Sequence, residues 1–203
     1  LKSAIGVREL PAYFAVIVAD GDKMGRALGQ IQDPEHHIAF SEQLVSFATK
    51  AAGTVKRHSG AMIYTGGDDV LAFLPLDTAI PCAAALANDF SMVMTEALAG
   101  MVSGNGQAID LPTLSVGVAI GHYSDHLQVL LRRGRDAEKA AKRCRNSLAV
   151  SFSSRSGGTR TVSHSWKTNP LQDRWWPAII AFHEDVLPDG VVYELGRLHD
   201  ELA

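Results

Sequence analysis

Four carboxylates stand in two short stretches of the chain. Asp20 and Asp22 lie in Ala19-Asp20-Gly21-Asp22-Lys23-Met24-Gly25, and Asp68 and Asp69 close Gly66-Gly67-Asp68-Asp69. Carboxylates brought together repel one another, and their ionised forms need a compensating cation. Hard oxygen donors of this kind suit Mg²⁺ or Mn²⁺, with water and substrate phosphates in the remaining positions. Two such ions about 4 Å apart can activate a ribose hydroxyl and stabilise a leaving pyrophosphate. The segment from Gly21 to Gly25 offers a further device, backbone N–H groups turned toward a triphosphate as the chain enters a helix.

Structural roles compete for the same residues. Asp20 and Asp22 are also turn formers, and Asp22 can cap a following helix. Gly66-Gly67-Asp68-Asp69 also makes a hairpin loop, because Gly and Asp tolerate positive φ. The adjacent like charges of Asp68 and Asp69 are an odd choice for a mere turn, which favours the chemical role. Lys142 is a candidate phosphate contact, and a solvated charged face explains it equally well. For Arg132, Arg133, Arg143 and Arg145 the solvated face is preferred. The eight histidines are scattered without ligand spacing, and His199-Asp200 has no further His/Asp set to support a metal-phosphohydrolase reading.

These residues need elements to hold them. Tyr13 to Ala19 is a continuous apolar run, read as a strand buried on both faces that breaks at Asp20. Asp33-Pro34 starts a helix running to about Lys56, with Ile38, Leu44, Val45, Ala48 and Ala52 as its expected inner stripe. Ala61–Thr65 and Val70–Leu74 read as strands of a hairpin around the Gly-Gly-Asp-Asp tip. Asp77 to Ala99 reads as a second long helix, Thr113 to Ile120 as a strand, and Ser124 to Arg145 as a third helix. Ser147 to Phe152 is a further strand, with Thr161-Val162-Ser163 pairing back at an edge. After Pro170 the composition changes, and Trp175-Trp176 opens an acidic, amphipathic segment. The predicted organisation is an α/β (α+β) ferredoxin-like domain over 1–168, with an antiparallel hairpin at its centre and a helical extension over 169–203.

The chain has 203 residues and a formal charge of −3, and at 46% hydrophobic and 20% charged it is too apolar to stay disordered. No run approaches the roughly 18 apolar residues of a membrane span, so no membrane contact and a cytoplasmic location are expected. Cys82 and Cys144 read as buried small hydrophobes in a reducing compartment. The start, Leu1-Lys2-Ser3, lacks Met, as in an excised piece. Between Arg132 and Lys167 ten basic residues stand against two acidic ones, which points to an anionic partner on one face.

Four motifs in order, Ala19 to Gly25, Gly66 to Asp69, Ser115 to Tyr123, and Ala141-Lys142 with Arg145-Asn146-Ser147-Leu148, resemble the second palm of the large subunit of type III CRISPR effector complexes, most like the Cmr (III-B) subtype. The resemblance covers roughly residues 10 to 165, and the tail resembles the start of that subunit's C-terminal helical domain. It implies a palm related to GGDEF diguanylate cyclases and nucleotidyl cyclases. It also implies synthesis of 3′–5′ cyclic oligoadenylates from ATP, with Mg²⁺ or Mn²⁺, when the complex binds target RNA.

By motif position, Asp20, Asp68 and Asp69 would be the catalytic metal-holding residues, with the Gly21 carbonyl as a further ligand. Asp22, Lys23, Met24, Gly25, Gly66 and Gly67 would line the nucleotide, and Lys142 would neutralise phosphate. For Asp22 a structural turn role stands equally. Val70 follows Asp69 where diguanylate cyclases carry Glu-Phe, which argues against cyclic-di-GMP synthesis. The implied partners are other subunits of the ribonucleoprotein, guide and target RNA, and a first palm for which this chain has no room. A palm cut off from them would be inactive or weak. A stand-alone nucleotidyl cyclase and a catalytically silent palm serving as a scaffold are the competing expectations.

Overall fold

The computed structural model describes residues 12–167 except 105, 155 and 156. The helical extension expected over 169–203, with Trp175 and Trp176, lies outside them. The chain runs β1 (Tyr13–Asp22), α1 (Met24–Gln30), α2 (Pro34–Arg57), β2 (Ala61–Gly66), β3 (Asp69–Pro75), α3 (Leu76–Ala97), β4 (Thr113–His122), α4 (Leu127–Cys144), β5 (Ser147–Ser154) and β6 (Gly157–Ser165). The sheet order is β2-β3-β1-β4-β5-β6. All neighbours are antiparallel except β4 and β5, which α4 joins as a parallel crossover. The first four strands with α2 and α3 make the expected ferredoxin-like unit, extended by α4, β5 and β6, with the β2–β3 hairpin at one edge of the sheet rather than at its centre.

β1 is buried on both faces, as its unbroken apolar run predicts. Ala15, Ile17 and Ala19 join the core beneath α2 and α3, whereas Val16, with Phe14 and Val18, faces α4. On β3, Val70, Ala72 and Leu74 face the first core, and Leu71 and Phe73 the second. By the two-residue period of a strand, Asp20 and Asp69 therefore both project toward α4.

The inner stripe of α2 differs from the expected one. Phe40, Phe47, Ala51, Thr54 and Val55 are buried, while Ile38 and Val45 are 62% and 66% exposed. Each of these aliphatics lies two residues, more than half a turn, from a phenylalanine with more apolar area to bury. Phe47 meets Phe90 of α3 edge-on with centroids 4.9 Å apart, and that contact sets the helix rotation. Asp33 caps α2 as predicted, accepting from the Glu35 N–H at 2.9 Å. α1 is a short helix of its own that follows the Asp20–Gly25 stretch and ends before the Asp33 cap. Cys82 is buried and its thiol is pushed up to about 12 by burial, but Cys144 is exposed at the end of α4, contrary to expectation.

α4 lies close against the sheet because Gly117 of β4 leaves it room. A Cβ at Gly117 would sit 2.2 Å from the Glu138 backbone nitrogen and 2.6 Å from the Gly134 carbonyl oxygen. This approach brings the last two turns of α4 over the end of β1. Among the described residues no helix is long and apolar enough to cross a membrane.

Candidate active site at the carboxylate end of the sheet

Gly66 pairs with Asp69 across the β2–β3 hairpin, so the turn itself is only Gly67-Asp68. Gly67 has φ +69°, the sign that places glycine first in such a two-residue loop. In the β1–β3 ladder Ala19 pairs with Val70, and one step further the register sets Asp20 opposite Asp69. Asp68 folds back from the turn over β1. A Cβ at Gly21 would lie 2.5 Å from Asp68 Oδ2 and 2.8 Å from Met24 Cγ, so only glycine lets the Asp68 carboxylate settle there.

Burial raises the pKa of Asp68, and the charge of Asp20 adds to that rise; backbone N–H groups of Asp68 and Gly21 and the charge of Lys142 oppose it. Asp69 is raised by burial and by the charges of Asp20 and Asp68, with Lys142 opposing. Both carboxylates are thus held in a field that disfavours their ionised forms.

Lys142 supplies the counter-charge. Its ammonium hydrogen-bonds Asp20 Oδ2 and lies 3.4 Å from the Gly21 carbonyl oxygen. Burial opposes the lysine's charge, but the hydrogen bond to Asp20 and the nearby carboxylates outweigh it and raise its pKa. The other basic residues of α4 behave differently: Arg132, Lys139 and Arg143 are exposed, and Arg135 is exposed at the rim of the cleft that holds Asp20 and Asp69.

Asp22 is drawn away into the structure. It is 3% exposed and accepts hydrogen bonds from Thr113 Oγ1 at 2.8 Å, Ser115 Oγ at 2.9 Å and the Asn146 N–H at 2.9 Å. It does not cap α1, whose N-cap is Lys23 with no side-chain bond. Lys23 stands 4.0 Å from Asp110, which Arg26 approaches to 3.0 Å. Met24 packs against the main core. Gly25 has open space where a Cβ would be, and Gly66 lies under the Tyr64 hydroxyl.

Two neighbours were missed in the sequence. Glu138 is a buried acid on the inner stripe of α4, its Oε1 3.7 Å from Lys142 Nζ. The signal was present, since it falls between Ala137 and Ala141 on the apolar stripe and four residues before Lys142. Tyr64 joins it, with Asp20, Asp69, Leu131 and Arg135, around a cleft of about 230 Å³.

As a donor set, the carboxylates of Asp20, Asp68 and Asp69 with the Gly21 carbonyl fit Mg²⁺ or Mn²⁺. All are hard oxygens, the donor type these ions take, and Asp68 and Asp69 are held above the usual carboxylate range chiefly by burial, with the neighbouring Asp20 charge adding to it. Among the described residues no three His, Cys, Asp or Glu side chains form a ready-made cage. Mg²⁺ commonly takes one or two carboxylates and completes its shell with water and substrate phosphates.

A mostly antiparallel sheet carries acids at one strand end and at the neighbouring hairpin tip, with a lysine above them, on a palm-like fold that nucleotidyl cyclases share. The crystal structure of the guanylyl cyclase Cya2 shares the fold, with a TM-score of 0.50 and 12% identity over 68% of this chain and 74% of that one. Residues 13–149 match the family model for Cas10/Cmr2, second palm domain, and the chain belongs to that family. It is 31% identical over 185 residues to the CRISPR system Cmr subunit Cmr2 of Pyrococcus furiosus, covering 77% of this chain and 20% of that protein. A CRISPR system CMR subunit Cmr2 from Saccharolobus solfataricus is 33% identical over 124 residues, 57% of this chain and 11% of the relative. The chain thus spans about a fifth or less of these relatives.

Proposed function

We propose that this palm joins ATP molecules 3′ to 5′ into cyclic oligoadenylate, as part of a type III CRISPR effector switched on by target RNA. The observation that carries the reading is the convergence of Asp20 and Asp69 on one face of neighbouring strands, with Asp68 seated over Gly21 and Lys142 reaching Asp20. In the reaction the 3′-oxygen of one ATP attacks the α-phosphorus of another, the bond to the β-phosphate breaks, and pyrophosphate leaves. Asp20, Asp68, Asp69 and the Gly21 carbonyl would hold Mg²⁺ or Mn²⁺, which supplies Lewis-acid activation of the hydroxyl and neutralises the leaving group.

Lys142 would place its ammonium on phosphate oxygens, where charge builds in the transition state. Gly21 admits Asp68, and the small residues Gly66 and Gly67 keep the hairpin tip low for the triphosphate, beside the backbone of Lys23, Met24 and Gly25. Asp22 holds the strand end in place and does not touch nucleotide in this reading. The exposed basic face of α4 is suited to RNA or to acidic surfaces of neighbouring subunits, and a first palm would complete the nucleotide cleft.

A second reading, a silent palm acting as a scaffold, is favoured by the lack of a three-acid cage among the described residues. Incubating the parent complex with labelled ATP, Mn²⁺ and cognate target RNA separates the two. Cyclic oligoadenylate that disappears in Asp68→Ala/Asp69→Ala supports the first. Product made without RNA indicates a stand-alone cyclase, and no product with RNA binding intact indicates the scaffold.

A further inference from the structure

Glu138 is an anomaly on α4. It is 8% exposed, and its Oε1 is shut off from solvent with no hydrogen-bond donor. An ionised carboxylate without donors is costly to bury. Burial pushes its pKa up, with the charge of Lys142 opposing. The ammonium of Lys142 stands 3.7 Å from Oε1, inside ion-pair range and short of a hydrogen bond. That same ammonium is bonded to Asp20. One cation therefore stands between two carboxylates, bonded to the first and stopping just short of the second.

Resting on the reading that Asp20 takes a divalent cation, we propose that Glu138 is a positioning residue: a second station that receives the Lys142 ammonium when the divalent ion displaces it from Asp20. Before the ion arrives, Lys142 holds the place and damps repulsion among Asp20, Asp68 and Asp69. Two cations cannot share the Asp20 carboxylate without repelling each other. The four-carbon stem of lysine, with its rotatable donors, lets the head move to Glu138 while α4 stays still. The station itself is fixed, because the Glu138 backbone is wedged against Gly117. Handing the ammonium to Glu138 satisfies the orphan Oε1 and keeps the positive charge beside the phosphates.

The test has two arms, both on the full chain. In EDTA, urea unfolding is measured for Asp20→Asn, Glu138→Gln and the double variant. Each single change leaves one carboxylate for the lysine, so the double variant shifts the unfolding constant roughly tenfold beyond the product of the two singles. That excess vanishes when Lys142→Met is also present. Additive effects overturn the two-station arrangement whatever the metal does.

In the second arm, Mn²⁺ binding is followed by electron paramagnetic resonance. Glu138→Gln weakens Mn²⁺ about tenfold while Lys142 is present and leaves it unchanged in Lys142→Met. Equal weakening in both backgrounds makes Glu138 itself a ligand and overturns the proposal, as does no weakening in either. Absence of any Mn²⁺ binding that depends on Asp20 sinks the catalytic reading and the displacement with it, a result distinct from the other failures.

Discussion

Asp20 and Asp22 sit two residues apart on β1 and, by the period of the strand, on the same face. Their surroundings are opposite. Asp22 accepts from two hydroxyls and a backbone N–H, supplied by β4 and the α4–β5 turn. Asp20 meets one ammonium and the charges of Asp68 and Asp69. The first arrangement is complete and closed to solvent; the second opens on the cleft beside Asp69. The difference separates an aspartate tied into the fold from one that faces the cleft. Asp22 also steadies a strained corner, since Arg145 and Asn146 both have positive φ and the Asn146 N–H is tied to its carboxylate.

The widest separation between the two should appear on neutralising the open carboxylates. Asp20→Asn or Asp69→Asn is expected to lower cyclic oligoadenylate synthesis by the effector about 10²–10³-fold, the scale set by losing a group that stabilises transition-state charge. For Asp69→Asn the unfolding free energy should hold or rise, because its pKa is raised in the fold, and a large drop would erase the distinction from Asp22. Asp22→Ala should do the reverse, costing about 3 kcal/mol of stability in urea denaturation by orphaning Thr113, Ser115 and Asn146 together. A cost under about 1 kcal/mol would mean that water replaces the carboxylate. Gly21→Ala tests the join between the two regions. Its Cβ would displace Asp68, so Mn²⁺ affinity should fall along with about 1–2 kcal/mol of stability. Unchanged Mn²⁺ affinity would show that Asp68 works from elsewhere.

Much of this site was legible in the sequence because it depends on strand period and turn chemistry. An apolar run ending in Asp20 and a Gly-Gly-Asp-Asp tip suffice to place acids at one end of a sheet. The role of Asp22 was left open because its partners, Thr113, Ser115 and Asn146, lie more than ninety residues away. The rotation of α2 was misjudged for a related reason. Apolar residues occupy more than one side of that helix, and the Phe47–Phe90 contact with a helix not yet in view decides which side turns inward. Glu138 escaped notice because an acid beside a lysine on a basic helix reads as ordinary surface charge. Only the close approach of α4 at Gly117 shows that it is buried.

The smallest expected effect concerns pH. Asp69 has a folded-state pKa raised above the ordinary 3.8, chiefly by burial and by Asp20 and Asp68. The folded chain therefore holds this proton more tightly than the unfolded chain. Stability contributed by Asp69 must grow as pH falls through its raised pKa and level off below the unfolded value. Asp69→Asn should accordingly be more stable than the parent near neutral pH and lose that advantage below about pH 3.8. Asp69 is exposed, so solvent and salt screen the effect and keep it small. Urea denaturation of both proteins across this range, in EDTA, reads it directly. An advantage that grows toward low pH would mean that the fold favours the Asp69 carboxylate, and the reading of Asp69 as a crowded, open acid would be lost.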